Sequence, residues 1–348
     1  MPEQRIPVHI ITGFLGAGKT TFLNHLIRHR QPERIIVIEN EVGAANIDGA
    51  LVVDGANAVV ELTAGCICCS LNDDLYDVMR DLYSRSDSFD RVVIETTGIA
   101  DPGSVAQSLL SAPEMRNHFD LRNIICIADA RHIDEALRDT DEARRQIAAA
   151  DIILLNKTDL VTPEQAEAAV AQLKGINPFA EVLPGQNGQF DVASVLDTVT
   201  MEEDGAEHQA AKIACQHQHR VHDITSWTYH YDTPFDLQKL SRELLTLVNI
   251  YKHQVYRVKG ILYTEDNPLK VVAQSVRNTL ALTDGTPWAP DEHRESKIVF
   301  IGKGVERASI ERILLRCLVT PQSPAPTKAF LTGQPAPFSP EKLKNWNP

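Results

Sequence analysis

Residues 13–20 read GFLGAGKT, a match to G-x-x-x-x-G-K-[S/T] that follows the apolar run VHIIT and opens the helical stretch TTFLNHLI. Glycines at Gly13, Gly16 and Gly18 free backbone N–H groups, with those of Ala17 and Thr21, to converge on an anion. Lys19 can reach β- and γ-phosphates, and Thr20 offers a hydroxyl to Mg²⁺. A second stretch, Asn156-Lys157-Thr158-Asp159, stands directly after the run DIILL. A carboxylate placed like that of Asp159 accepts hydrogen bonds from guanine N1–H and N2–H₂, a donor pair that adenine lacks. Between the two lies RVVIETTGIADP, in which Glu95 ends a strand and Gly98 follows three residues on. That places an acid for Mg²⁺ or its water, and a backbone N–H for the γ-phosphate. These residues point to GTP, with Lys19, Thr20 and Glu95 as the catalytic set.

A different chemistry is implied at GCICC, where Cys66, Cys68 and Cys69 fall within four positions. Closed structural zinc sites use four ligands and paired C-x₂-C elements. Three thiolates with an open or borrowed fourth position suit Zn²⁺ or another late first-row ion held exchangeably. Upstream, ENEVG sets Glu39 and Glu41 two residues apart, on one face of a strand end. Three small buried hydrophobes and a vicinal disulfide are the competing readings of the cysteines. A further group, Cys215, His217, His219 and His222, reads equally as a weak chelating strip or as a solvated linker. His118, His208 and His253 read as ordinary histidines, and Cys126 and Cys317 sit in apolar patterns expected in the core.

The elements that must hold these residues alternate. Apolar β-branched runs (PVHIIT, RIIVIE, RVVIE, NIICIAD, DIILLN) alternate with helical stretches from residue 7 to 190. Short apolar runs without period-2 alternation mark strands buried on both faces, and the alternation implies an α/β, doubly wound, mostly parallel sheet. The first domain is therefore expected over 1–190 and a polar linker over 191–221. A smaller α+β domain follows over 222–320, in which strand-like runs and two helices recur in a different order. The tail from 321 to 348 holds seven prolines and reads as extended or disordered.

The chain has 348 residues, 43% of them hydrophobic and 23% charged, with a formal net charge of −13. Such an acid excess argues against a phosphate-tracking nucleic-acid binder. No apolar run approaches the ~20 residues that span a bilayer. Six cysteines in this length are too few for a disulfide scaffold, which points to a reducing cytoplasm.

Taken together, GFLGAGKTT, ENEVG, GCICC, IETTGIADP and NKTD resemble, in order and spacing, the CobW-type family of GTP-dependent metal chaperones. The resemblance runs from about residue 6 to 318 and leaves out the Pro-rich tail; Val42 stands where the family is most often aromatic. It implies a P-loop GTPase domain joined to a small α+β domain. It also implies metal, Zn²⁺ first and Co²⁺ among the alternatives, on Cys66, Cys68 and Cys69, with GTP turnover driving transfer to a client metalloprotein. Cobalt insertion for a corrinoid, activation of an enzyme such as a nitrile hydratase, and a metal-sensing switch without cargo share every motif, and a homodimer is left open.

Overall fold

A computed structural model describes residues 5–40, 58–61, 71–197, 224–265 and 267–319. Glu41, Cys66, Cys68, Cys69, His208, Cys215, His217, His219, His222 and the tail from 320 lie outside the described residues.

Seven strands form the first sheet: β1 (Ile6–Gly13), β2 (Ile35–Asn40), β3 (Ala58–Glu61), β4 (Arg91–Thr96), β5 (Phe119–Asp129), β6 (Ile152–Asn156) and β7 (Glu181–Pro184). Their order is β3-β2-β4-β1-β5-β6-β7, and every neighbouring pair is parallel. The connecting helices are α1 (Lys19–His29), α2 (Leu71–Ser84), α3 (Pro102–Ser111), α4 (Pro113–His118), α5 (Ile133–Asp139), α6 (Asp141–Ala149), α7 (Pro163–Ile176) and α8 (Val192–Asp197). Successive strand residues point to opposite faces. Thus Ile11, Val93, Ile125 and Leu154 pack against Phe22 and Leu26 of α1 and Val195 of α8. Ile10, Ile38 and Ile94 instead meet Met79 of α2 and Val105 of α3. Both faces are covered, so the strands are predominantly apolar on both sides and the doubly wound expectation holds.

Position 190, expected to close this domain, does not. Val192–Asp197 fold as α8, with Val195 and Leu196 buried beside α1. A run of six residues is too short to show helical periodicity, so its apolar positions were hidden in a polar stretch.

The second domain comprises β8 (Ile224–Tyr231), α9 (Leu237–Ile250), β9 (Val255–Leu262), β10 (Leu269–Val276), β11 (Thr279–Pro287), β12 (Ser296–Lys303) and α10 (Arg307–Cys317). Its sheet is antiparallel, ordered β11-β10-β9-β12-β8. α9 and α10 cover one face through Leu240, Leu244 and Leu314, where Cys317 is also buried. The other face joins the first domain: Ile224, Val299 and Ile301 belong to the same buried cluster as Ala143, Ile147 and Ala150. At the centre of that interface Asp151 accepts from Arg257 at 2.5 Å, from Lys259, and from the Ile124 N–H at 2.8 Å. Burial acts to raise the Asp151 pKa, but the two cations outweigh it and hold the carboxyl below its usual range. No helix among the described residues is long and apolar enough to cross a membrane.

Candidate functional site

β1 runs into a loop that only glycine permits. Gly13 has φ 141°, and a Cβ there would stand 2.2 Å from the carbonyl oxygen of Ile127. Gly18, at φ 107°, would place a Cβ 2.5 Å from Nδ2 of Asn156. Gly18 is the N-cap of α1 and gives it no side-chain hydrogen bond. The first N–H groups of that helix are thus left to an anion, with the helix dipole in favour. Lys19 Nζ donates to the carbonyls of Gly13 at 3.0 Å and Phe14 at 3.5 Å, which holds the ammonium over the loop. Thr20 is half-buried, whereas Gly16 and Thr21 are exposed.

The NKTD residues are fastened to this loop. Asn156 is 2% exposed; its Nδ2 donates to the Ala17 carbonyl at 2.9 Å, and its Oδ1 accepts from the Gly188 N–H at 3.0 Å. Lys157, at φ 62°, donates to the Gly16 carbonyl at 2.8 Å and to Asp129 at 2.7 Å. Burial acts to raise the Asp129 pKa; hydrogen bonds from Lys157, His132 and the Arg131 N–H outweigh it and keep the group ionised. Asp159 lies in the short turn Thr158–Leu160, exposed, with no hydrogen bond or ion pair among the described residues. Its carboxylate is open to a planar donor pair.

The sequence reading missed one part of this arrangement. Residues 185–189 form a tight turn, bridged between Gln186 and Gln189, with Asn187 at φ 55° and Gly188 at φ 67°. The Gly185 carbonyl accepts from Thr158 N–H at 3.1 Å and from its hydroxyl at 2.9 Å. A Cβ on Gly188 would stand 2.9 Å from Thr21 Cγ2, so the turn closes on the start of α1. The signal is the dipeptide Asn187-Gly188, the strongest short turn sequence, which the sequence analysis leaves unused.

On the other side of β1, Glu95 near the end of β4 is in register with Ile11 of β1 and with Glu39 of β2. Glu61 of β3 is in register with Glu39 in turn. Three glutamates therefore occupy one row across neighbouring strands, and Glu39 is 6% exposed. Beyond β4 the chain crosses the P-loop so closely that a Cβ on Gly98 would stand 2.8 Å from the Leu15 nitrogen. Gln146 of α6, 1% exposed, donates to both the Gly98 and Ala100 carbonyls at 3.1 Å. Asp101 then caps α3 through the Gly103 N–H at 2.8 Å, with Pro102 in the first turn. Gln146 carries no motif, and nothing in the sequence marks it.

Among the described residues no group of three or more His, Cys, Asp or Glu is placed to hold an ion. Cys126 is a buried core thiol, its pKa pushed up to about 12 by burial, as its apolar setting led one to expect. His118 stacks on Tyr83 at 3.6 Å and His253 is exposed.

Residues 7–184 match the CobW/HypB/UreG nucleotide-binding domain, and residues 224–318 match the cobalamin synthesis protein cobW C-terminal domain. The chain is 35% identical over 305 residues to the zinc chaperone YjiA of Escherichia coli, a match covering 85% of this chain and 94% of that protein. It is 28% identical over 346 residues to the zinc chaperone CobW of Pseudomonas aeruginosa, covering 90% and 92%. A similar match, 28% over 345 residues, joins it to the zinc-regulated GTPase metalloprotein activator 1 of Schizosaccharomyces pombe, covering 87% and 84%. The crystal structure of Zn(II)-bound YjiA GTPase from E. coli superposes with a TM-score of 0.70 at 29% identity, covering 90% of this chain and 99% of that one.

Proposed function

The chain belongs to the CobW family, and from that membership we propose that it is a GTP-hydrolysing zinc chaperone that passes its metal to a client metalloprotein. One observation carries the nucleotide half. Asn156 and Lys157 bond directly to the carbonyls of Ala17 and Gly16, so base and phosphate recognition form one braced unit with Asp159 left open beside it. Asp159 reads the guanine edge. The loop amides of Gly13–Thr21 and the Lys19 ammonium take the phosphate charge, and the Gly98 N–H meets the γ-phosphate. Thr20 and Glu95 supply hard oxygen donors of the kind Mg²⁺ selects. Held by these oxygens, Mg²⁺ would supply positive charge against the phosphate oxygens. Glu95 would hold that ion or orient the attacking water.

Zinc is the cargo. Cys66, Cys68 and Cys69 supply the thiolates, with Glu39 or Glu41 completing the shell. Relatives named as zinc chaperones and a zinc-bound relative of the same architecture support this choice of metal. Thiolates that hold zinc in this way suit a reducing compartment such as the cytoplasm.

The test is a competition titration of Zn²⁺ against a chelating dye, with GDP, with a non-hydrolysable GTP analogue, and without nucleotide. If the two sites are coupled by about 1–3 kcal/mol, the analogue shifts zinc affinity roughly 5–150-fold. The triple Cys66→Ser, Cys68→Ser, Cys69→Ser variant loses the tight site. Affinity that ignores nucleotide, or tight binding that survives the triple change, would sink the cargo reading.

A further inference from the structure

The hairpin joining β10 and β11 leaves its own domain. Val276, the last residue of β10, is 2% exposed and belongs to the first domain's buried cluster, with Val105, Ala106 and Leu109 of α3. Arg277 follows at the tip with φ 54°, a left-handed conformation that glycine or asparagine occupies with less strain. The arginine that stands there instead has its side chain engaged across the domain boundary. The guanidinium donates to Asp101 at 2.5 Å, with 37% and 20% of the two side chains exposed. Its stem crosses the N-terminus of α3 in the space left by Gly103, where a Cβ would stand 3.1 Å from Arg277 Cγ and 3.3 Å from Nε. Asp101 closes the loop that begins after Thr96 and carries Gly98. That loop is fastened by Gln146 from its own domain, at Gly98 and Ala100, and by Arg277 from the other.

We infer that Arg277 is a positioning residue for GTP hydrolysis: the second domain, through the Arg277–Asp101 pair, holds the Gly98 loop in the arrangement that receives the γ-phosphate. This rests on the proposed reading of the Gly98 N–H as the γ-phosphate contact. Arg277 touches Asp101 rather than the P-loop, so it acts through the loop and not on the nucleotide. A partner that displaces the hairpin would therefore slow turnover without entering the nucleotide site.

Two variants of the full chain spare the fold. Arg277→Asn suits the left-handed backbone, and Asp101→Asn retains an oxygen that can cap α3. Steady-state GTP hydrolysis is measured for both, for the double variant and for Arg277→Lys, beside GDP affinity and thermal midpoint. A partly exposed ion pair acting on the loop should lower kcat roughly two- to fivefold in each single variant, with GDP affinity unchanged. The double variant should fall no further than the worse single, and Arg277→Lys should recover part of the loss. Unchanged kcat in the single variants, losses that multiply in the double, or losses that track only a lowered thermal midpoint would overturn the inference. Lys19→Ala runs in parallel: normal turnover there would remove the P-loop reading itself. A dead Lys19→Ala beside a fully active Arg277→Asn would remove only the role of Arg277.

Discussion

Asn156→Asp replaces one NH₂ group by oxygen, yet the structure makes it a costly change. The carboxamide is 2% exposed and bridges two loops, donating to the Ala17 carbonyl at 2.9 Å and accepting from the Gly188 N–H at 3.0 Å. The variant keeps the acceptor, but it sets a carboxylate oxygen against the Ala17 carbonyl where a donor stood. Losing that donor and leaving a buried acceptor unpaired costs about 1–3 kcal/mol, and burial of the charge adds to it. Protonation of the new carboxyl relieves both, because an O–H can donate to Ala17. Its pKa in the fold is therefore raised above the unfolded value of about 3.9. With the folded pKa raised, the deficit relative to wild type is smallest below the unfolded pKa. It grows by up to about 1.4 kcal/mol per pH unit until the folded pKa is passed, then levels off. Asn156→Ala, by contrast, loses both bonds and should cost about 2–4 kcal/mol at every pH. The assay is urea denaturation of the three proteins without nucleotide at pH values from about 4, near the unfolded pKa, to about 7. A deficit in Asn156→Asp that does not change with pH, or stays below about 1 kcal/mol at pH 7, would show that the side chain does not brace the two loops.

Three other outcomes follow from the same geometry. Asp159→Asn, at an exposed position with no partner to lose among the described residues, should leave stability within about 0.5 kcal/mol while weakening GTP and favouring xanthosine nucleotides in a binding titration; equal binding of ATP and GTP by the wild type would refute the guanine assignment. Lys19→Ala should abolish turnover with circular dichroism unchanged, since the lysine, half-buried over the loop carbonyls, is needed for phosphate charge and not for packing the core. His9, its pKa lowered to about 3 by burial and by Arg91 against the opposing bond to Asn123, is neutral in the fold and protonates only on unfolding below about 6.5. Its stabilising contribution is complete above that value and is lost as pH falls, by about 2 kcal/mol between pH 6.5 and 5; His9→Gln should flatten that acid loss in denaturation midpoints, and an unchanged slope would refute the assignment.

What the sequence reveals follows from the range of each interaction. The P-loop was legible because its glycines, Lys19 and the following helix are contiguous, and so was the strand before Asn156. Strands buried on both faces announce themselves as unbroken apolar runs. Gln146 and Arg277 were not legible. Each acts on the Gly98 loop across a fold contact, 48 residues away for Gln146 to Gly98 and 176 for Arg277 to Asp101, and neither belongs to a motif that the sequence displays. Helix α8 failed for a different reason: its apolar face is complementary to α1, a fact of packing with no local periodicity to display it. Asp151 merely opens the run DIILLN in the sequence, and only the arrival of Arg257 and Lys259 makes it the buried anchor of the second domain.

The parallel sheet also gives the proposed metal–nucleotide coupling a physical route. All seven strands point the same way, so Gly13, Asn40, Glu61, Thr96 and Asn156 end at one edge. In sequence, the three cysteines fall between Glu61, the last residue of β3, and Leu71, the first residue of α2. Glu39 is in register with both Glu61 and Glu95, and Glu95 with Ile11, two residues before the P-loop begins. Adjacent strands stand about 4.8 Å apart, which puts the Glu39 backbone only two strand spacings from β1. A cation drawn to either carboxylate of the pair acts on the other at a distance where, near a protein surface, unit charges interact by several kcal/mol. On the proposed reading, in which Glu39 is a zinc ligand and the end of β4 adjusts to the γ-phosphate, a shift of that strand end would alter the carboxylate offered to the metal, and a bound metal would alter the cost of the shift. Reciprocity then requires each ligand to alter the affinity for the other by the same factor.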